Sequence, residues 1–111
     1  MADCIFCRLI ADPEFKALRR EPDVVAFSDI NPQAPVHFLV VPTQHIETIA
    51  ELDDHHLLGR LFATAHEVAR EKGVGDSGYR LVFNQGPDAN QTVYHVHLHV
   101  LGGRQLTWPP G

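Results

Sequence analysis

Three histidines in strict alternation, His95, His97 and His99 in "YHVHLHVLGG", are the residues of this chain best suited to chemistry. Imidazole titrates near neutral pH, so it can ligate a metal, carry a proton or attack an electrophile. Alternation with Val96, Leu98 and Val100 predicts a β-strand with the imidazoles on one face and the apolar residues on the other. At about 3.3 Å per residue, His95 and His99 stand roughly 13 Å apart along such a strand. Nitrogens that must each lie about 2 Å from one zinc cannot come from both ends of that row. At most two neighbours share an ion, and at least one ring has other work. The remaining alternatives are catalysis and a plain polar strand face, and three histidines in strict alternation argue against the latter.

Attack by an imidazole on phosphorus would give a phosphohistidine-type intermediate, with neighbouring imidazoles and backbone N–H groups neutralising the phosphate oxygens. The loop before the strand, "NQGPDANQTVYH", offers Asn84, Gln91, Thr92 and turn amides as donors. A second set starts at "CIFC", where Cys4 and Cys7 form a Cys-x-x-Cys pair open to metal, redox or coincidental readings. A thioredoxin-like redox motif needs a strand before it, and the sequence ahead of Cys4 has almost no room for one.

The elements that must position these groups can be read in order. Residues 4–11 form a short helix with Ile5, Leu9 and Phe6 toward one side. Extended runs over 17–20 and 24–28 flank the turn "EPD", and "DINPQAP" is loop. Residues 37–42, "HFLVVP", form a strand too apolar to face water on both sides. One long helix spans about 54–72, capped by Asp53 or Asp54, with a stripe from Leu57 to Ala69 and Gly73 at its end. His55, His56 and His66 fall on this helix as surface or edge residues. Residues 79–84 are a fourth strand, and the histidine strand is the fifth. The expectation is one α+β domain over 1–111, a five-stranded, mainly antiparallel sheet with the helices on one face. A proline-rich tail from about 102 to 111 carries the lone tryptophan, Trp108, an apolar anchor for its own surface or a partner's.

The 111 residues suffice for one modest core. A formal net charge of −5 argues against nucleic-acid or anionic-membrane binding, yet permits a small phosphate ligand held by local donors. No apolar run is long enough to span a membrane, and no signal-peptide pattern is visible, so the expected location is the cytoplasm with reduced or metal-bound cysteines.

"HVHLHVL" fits the histidine-triad pattern, and together with "FSDINPQAPVHFLVVPTQHI", "YRLVFNQG" and the tail "GGRQLTWPPG" the chain resembles the Hint branch of that family over nearly its whole length. The resemblance implies hydrolysis of purine nucleoside phosphoramidates to a nucleoside monophosphate and an amine, through a nucleotidyl-histidine intermediate. By position, His97 matches the nucleophile, His99 a phosphate-contacting residue and His37 a supporting histidine. Asn84 and Thr92 match residues that hold the phosphate. Asp29 matches the carboxylate on the ribose diol, and Ile5, Phe6, Leu9, Phe27, Ser28 and Ile30 the base pocket. Some members hold structural zinc at positions matching Cys4, Cys7, His45 and His95, a closed set that leaves no open position for catalysis. The resemblance also implies a homodimer, with Trp108 reaching the other subunit's site. Two departures stand out: Asn90 where many members have glycine, and Thr92 where serine is commoner. Competing readings are a diadenosine polyphosphate hydrolase of the Fhit branch, a nucleotidyl transferase, a metallohydrolase, and a nucleotide-binding scaffold with incidental activity.

Overall fold

A computed structural model describes residues 3–111. Strands β1 (Arg19–Arg20), β2 (Val24–Ser28), β3 (Val36–Pro42), β4 (Tyr79–Val82) and β5 (Leu98–Gly102) form one sheet in the order β1-β2-β3-β5-β4. Every neighbouring pair is antiparallel, as the α+β reading expects. Helix α1 covers Ile5–Ala11, and α2 covers His55–Glu71.

The helices lie on opposite faces of the sheet, which corrects the expectation of a single covered face. The cause is in the strands: Val24, Val25, Ala26 and Phe27 are all buried, so β2 has no wet side. Val24, Ala26, Phe38, Val40, Leu98 and Val100 pack against Leu57, Leu61, Ala65, Val68 and Ala69 of α2. The alternate residues Val25, Phe27, Leu39 and Val41 pack against Phe6 of α1, with Leu9 and Ile10 at the margin. Antiparallel sheets covered on both faces lose the simple in-out alternation and read as continuous apolar runs.

Local chemistry fixes both helices. The carboxylate of Asp54 accepts the Leu57 N–H at 3.1 Å, a side-chain N-cap. Gly73 closes α2 with φ of 83°, a left-handed conformation that glycine adopts freely. The Cys4 side chain caps α1 by accepting the Cys7 N–H at 3.4 Å. Arg20 donates to the carbonyls of Ile10, Asp12 and Phe15, which ties the end of α1 to β1. On the other side of the sheet, Arg19 pairs with Glu67 and Glu71, and Arg60 with Glu21 and Asp23, lacing α2 to the first hairpin.

The histidine segment is only partly regular strand. β5 begins at Leu98, so of the triad only His99 sits in the ladder. The last β3–β5 pair is Val40 with Leu98; beyond it the Val96 N–H turns to the Ile46 carbonyl at 2.7 Å. The alternation nevertheless persists, because Val96, Leu98 and Val100 all enter the α2-side core. The strands expected over 17–20 and 79–84 are likewise shorter, ending at their last ladder pairs.

Candidate functional site

Register brings the catalytic candidates together. Leu39 pairs with His99 and His37 with Leu101, so His37 and His99 are diagonal neighbours on the α1 side of the sheet. His37 Nε2 meets His99 Nδ1 at 3.0 Å. The Gln33 N–H donates to His37 Nδ1 at 2.9 Å, which makes that nitrogen an acceptor and places the His37 hydrogen on Nε2. His37 therefore donates to His99 Nδ1, and neutral His99 carries its own hydrogen on Nε2. His97 runs the other way. Its Nδ1 lies 2.8 Å from the His95 carbonyl, which can only accept, so the hydrogen sits on Nδ1 and Nε2 keeps a free lone pair. Two backbone groups thus set three tautomers: a lone pair on His97 beside an N–H donor on His99, with ring centroids 5.0 Å apart.

The electrostatics favour these neutral forms. Burial, and secondarily the neighbouring His97 and His37, push His99 down to about 4. His37 is lowered by burial, with Asp29 opposing the shift. His97 is also lowered by burial, opposed by its bond to the His95 carbonyl and by Asp29. Asp29 lies 3.4 Å from His37 Nε2 through Oδ2, while Oδ1 accepts the Asn31 N–H at 2.8 Å. Asp29, His37 and His99 put three donor atoms within 4.8 Å, but His37 Nε2 and His99 Nδ1 point at each other across one hydrogen, the geometry of a relay.

A cavity of about 380 Å³ opens beside His97 and His99. Its walls contain the expected Ile5, Phe6, Leu9, Phe27, Ser28, Asp29, Ile30 and Thr92. Phe6 stands edge-on to His97, with ring centroids 5.2 Å apart, and to Phe27 at 5.4 Å. Phe15, Leu39 and Val93 complete the lining and were not anticipated. Leu39 was legible as the odd-numbered neighbour of His37 on β3, whereas nothing local marks Phe15 or Val93.

Two expected contacts fall elsewhere. Gln91 is turned inward: its carbonyl accepts the Gly86 N–H at 2.9 Å and its NH₂ donates to the carbonyls of Glu47 and Val93. It braces the loop below the cavity instead of lining it. Asn84 is half-buried beyond β4 and outside the cavity wall. Trp108, expected at the other subunit's site, is 82 % exposed on the tail and is not part of this chain's own cavity wall. Asn90 adopts φ 63° and ψ 42°, the left-handed conformation for which asparagine is one of the few tolerated non-glycine residues.

The second cluster forms where the sequence placed it. Cys4, Cys7, His45 and His95 offer four ligand atoms within 4.8 Å of one another, a set that could bind a metal ion. Cys4 Sγ and Cys7 Sγ lie 3.5 and 3.6 Å from His95 Nδ1, and Cys7 Sγ lies 3.2 Å from His45 Nδ1. Metal–ligand bonds of about 2.0–2.3 Å imply tetrahedral edges of about 3.3–3.8 Å, so the spacing fits such an ion closely. The fully buried His95 donates from Nε2 to the Pro42 carbonyl at 2.8 Å, which frees Nδ1 toward the thiols and is a typical outer-shell anchor.

Comparison with known proteins agrees with both the fold and the motif. The HIT domain family model matches residues 13–106. An uncharacterised HIT-like protein of Synechocystis is 47 % identical over 112 residues, spanning 98 % of this chain and 97 % of that protein. The crystal structure of a HIT family hydrolase from Legionella pneumophila superposes with a TM-score of 0.92 at 43 % identity, covering 98 % of this chain and all of that one. A HIT family hydrolase from Clostridium thermocellum gives 0.91 at 37 % identity, with 96 % of each chain covered. With its triad, its sheet order and these relatives in agreement, the chain belongs to the HIT domain family.

Proposed function

We propose that the chain is a nucleotide hydrolase of the Hint type, cleaving the P–N bond of purine nucleoside 5'-phosphoramidates. The observation that carries this reading is the pairing of an unprotonated His97 Nε2 with a His99 Nε2–H donor at the end of a cavity large enough for a nucleotide. Apolar walls suit a purine, and Asp29 suits the ribose diol because a carboxylate accepts two hydrogen bonds. His99 and the Thr92 hydroxyl face the phosphate. As the bond from His97 Nε2 to phosphorus forms, the P–N bond to the amine breaks, and the amine leaves with a proton taken from solvent. One water then hydrolyses the nucleotidyl-histidine, its oxygen going to the nucleoside monophosphate, a proton returning to solvent and the lone pair to His97. Relatives named hydrolases support the class.

A zinc ion is the natural occupant of the Cys4, Cys7, His45 and His95 cluster, and four protein ligands make its role structural. It would hold α1, and with it Phe6, against the sheet. The two free thiols suit a reducing, cytoplasmic setting. We further read the protein as a homodimer, with Trp108 acting on the partner's site.

The decisive experiment is amine release from an adenosine phosphoramidate, beside diadenosine triphosphate, for wild type and His97→Ala. Phosphoramidate turnover that disappears in the variant supports the proposal. A preference for diadenosine triphosphate would move the chain to the dinucleotide-cleaving branch. Tight nucleotide binding without turnover of either substrate would make it a binding protein.

A further inference from the structure

The direction of the His37–His99 relay is set at Nδ1 by one backbone group, the Gln33 N–H, in a loop outside the cavity wall, while Asp29 Oδ2, 3.4 Å from Nε2, favours the same tautomer from the other side of the ring. That loop, residues 29–36, lines a smaller cavity of about 170 Å³ through Asp29, Pro32, Pro35 and Val36, and it is also held from outside. The hold comes from the chain just after β5. Arg104 donates to the Gln33 carbonyl from Nε at 3.2 Å and from its terminal nitrogen at 3.0 Å. Gly103 makes this approach possible, since φ is 90° there and a Cβ would stand only 3.0 Å from the Pro35 ring. Inside the loop, the Gln33 side chain donates to the Asn31 carbonyl, and the Asn31 N–H donates to Asp29.

We propose that Arg104 is a positioning residue for the active site: it clamps Gln33 and so fixes which nitrogen of His37, and in turn of His99, carries hydrogen. The inference deepens the hydrolase reading and rests on it for its kinetic consequence, though not for its structural one. If the Gln33 N–H moves off Nδ1, His37 is free to place its hydrogen there and accept at Nε2. His99 must then donate from Nδ1, and its Nε2 presents a lone pair to the phosphate oxygens in place of an N–H. Repulsion replaces a hydrogen bond where charge develops in the transition state. The rings would not have to move.

The test is Arg104→Ala and Arg104→Lys beside wild type, read by long-range ¹H–¹⁵N correlation of the histidine rings and by steady-state phosphoramidate kinetics. Arg104→Ala should shift His37 and His99 from single tautomers to mixtures. It should also lower kcat in proportion to the fraction of the wrong tautomer, about twofold for an even mixture, with KM little changed. Arg104→Lys, or millimolar guanidinium added to Arg104→Ala, should restore part of both signals. Unchanged tautomers in a folded Arg104→Ala protein would overturn the proposal, as would lowered kcat with KM rising equally and no rescue. A wild type that turns over no phosphoramidate would defeat the hydrolase reading instead, while the ring spectra would still decide the role of Arg104.

Discussion

His99 is held as a neutral ring by burial, which gives a pH dependence with a definite sign. Its folded value of about 4 lies below the ordinary 6.5, so between these limits the unfolded chain binds a proton that the folded site refuses. Stability should therefore be level above about pH 6.5 and fall as the pH drops toward 4. His37, shifted the same way, adds to this. Urea titrations at pH 7.5, 6 and 5 check it, and His99→Gln should flatten the curve. Thr64 is the other residue out of keeping with its surroundings: its hydroxyl is buried among the α2 core without a partner. Thr64→Val should leave stability unchanged or raise it by about 1 kcal/mol, measured by thermal or urea unfolding. The placement of single residues was legible wherever a motif carried it, as for His97 beside the cavity and for the cluster of Cys4, Cys7, His45 and His95. It was not legible for Gln91, because a polar side chain in a loop reads alike whether it faces ligand or braces backbone.

Helix α1 is the element where the two clusters meet. Cys4 and Cys7 face the metal cluster, while Phe6 between them leans on both His95 and His97. If the cluster holds zinc as proposed, stripping it from the purified protein with a strong chelator should lower the unfolding temperature by several degrees and loosen α1, seen as faster amide exchange over residues 5–11. Turnover at low temperature should persist, since the triad itself needs no ion. At the start of α2, Asp54→Ala should cost about 1 kcal/mol through the lost cap, with kinetics untouched. Elements of strong periodicity, α2 above all, were readable to within a residue because the apolar stripe and the Asp54 cap agree. The side of the sheet each helix takes was not. That choice follows from β2 and β3 being apolar on both faces, and a continuous apolar run does not say which face meets which helix.

At the scale of the whole molecule, α2 packs on one face of the sheet, while the opposite face carries α1, the cavity and the histidines beside it. The sheet ends at β4, whose outer edge has no strand partner among the described residues. If a second copy pairs there, sedimentation at micromolar concentration should show a species of twice 12.4 kDa, and a lone 12.4 kDa species would remove the dimer from the reading. Among the described residues, no helix is long and apolar enough to cross a membrane. The two-faced sheet has a consequence for how such a sequence can change. Side chains alternate with a period of two, so inserting or deleting one residue between His95 and His99 would send part of the triad into the α2 core and bring valine or leucine to the cavity beside it. Substitutions around the site can be gradual, but changes in length there are all-or-nothing. A library of single-residue insertions and deletions should therefore show a gap over residues 95–101, with lengths tolerated again in the loop before it.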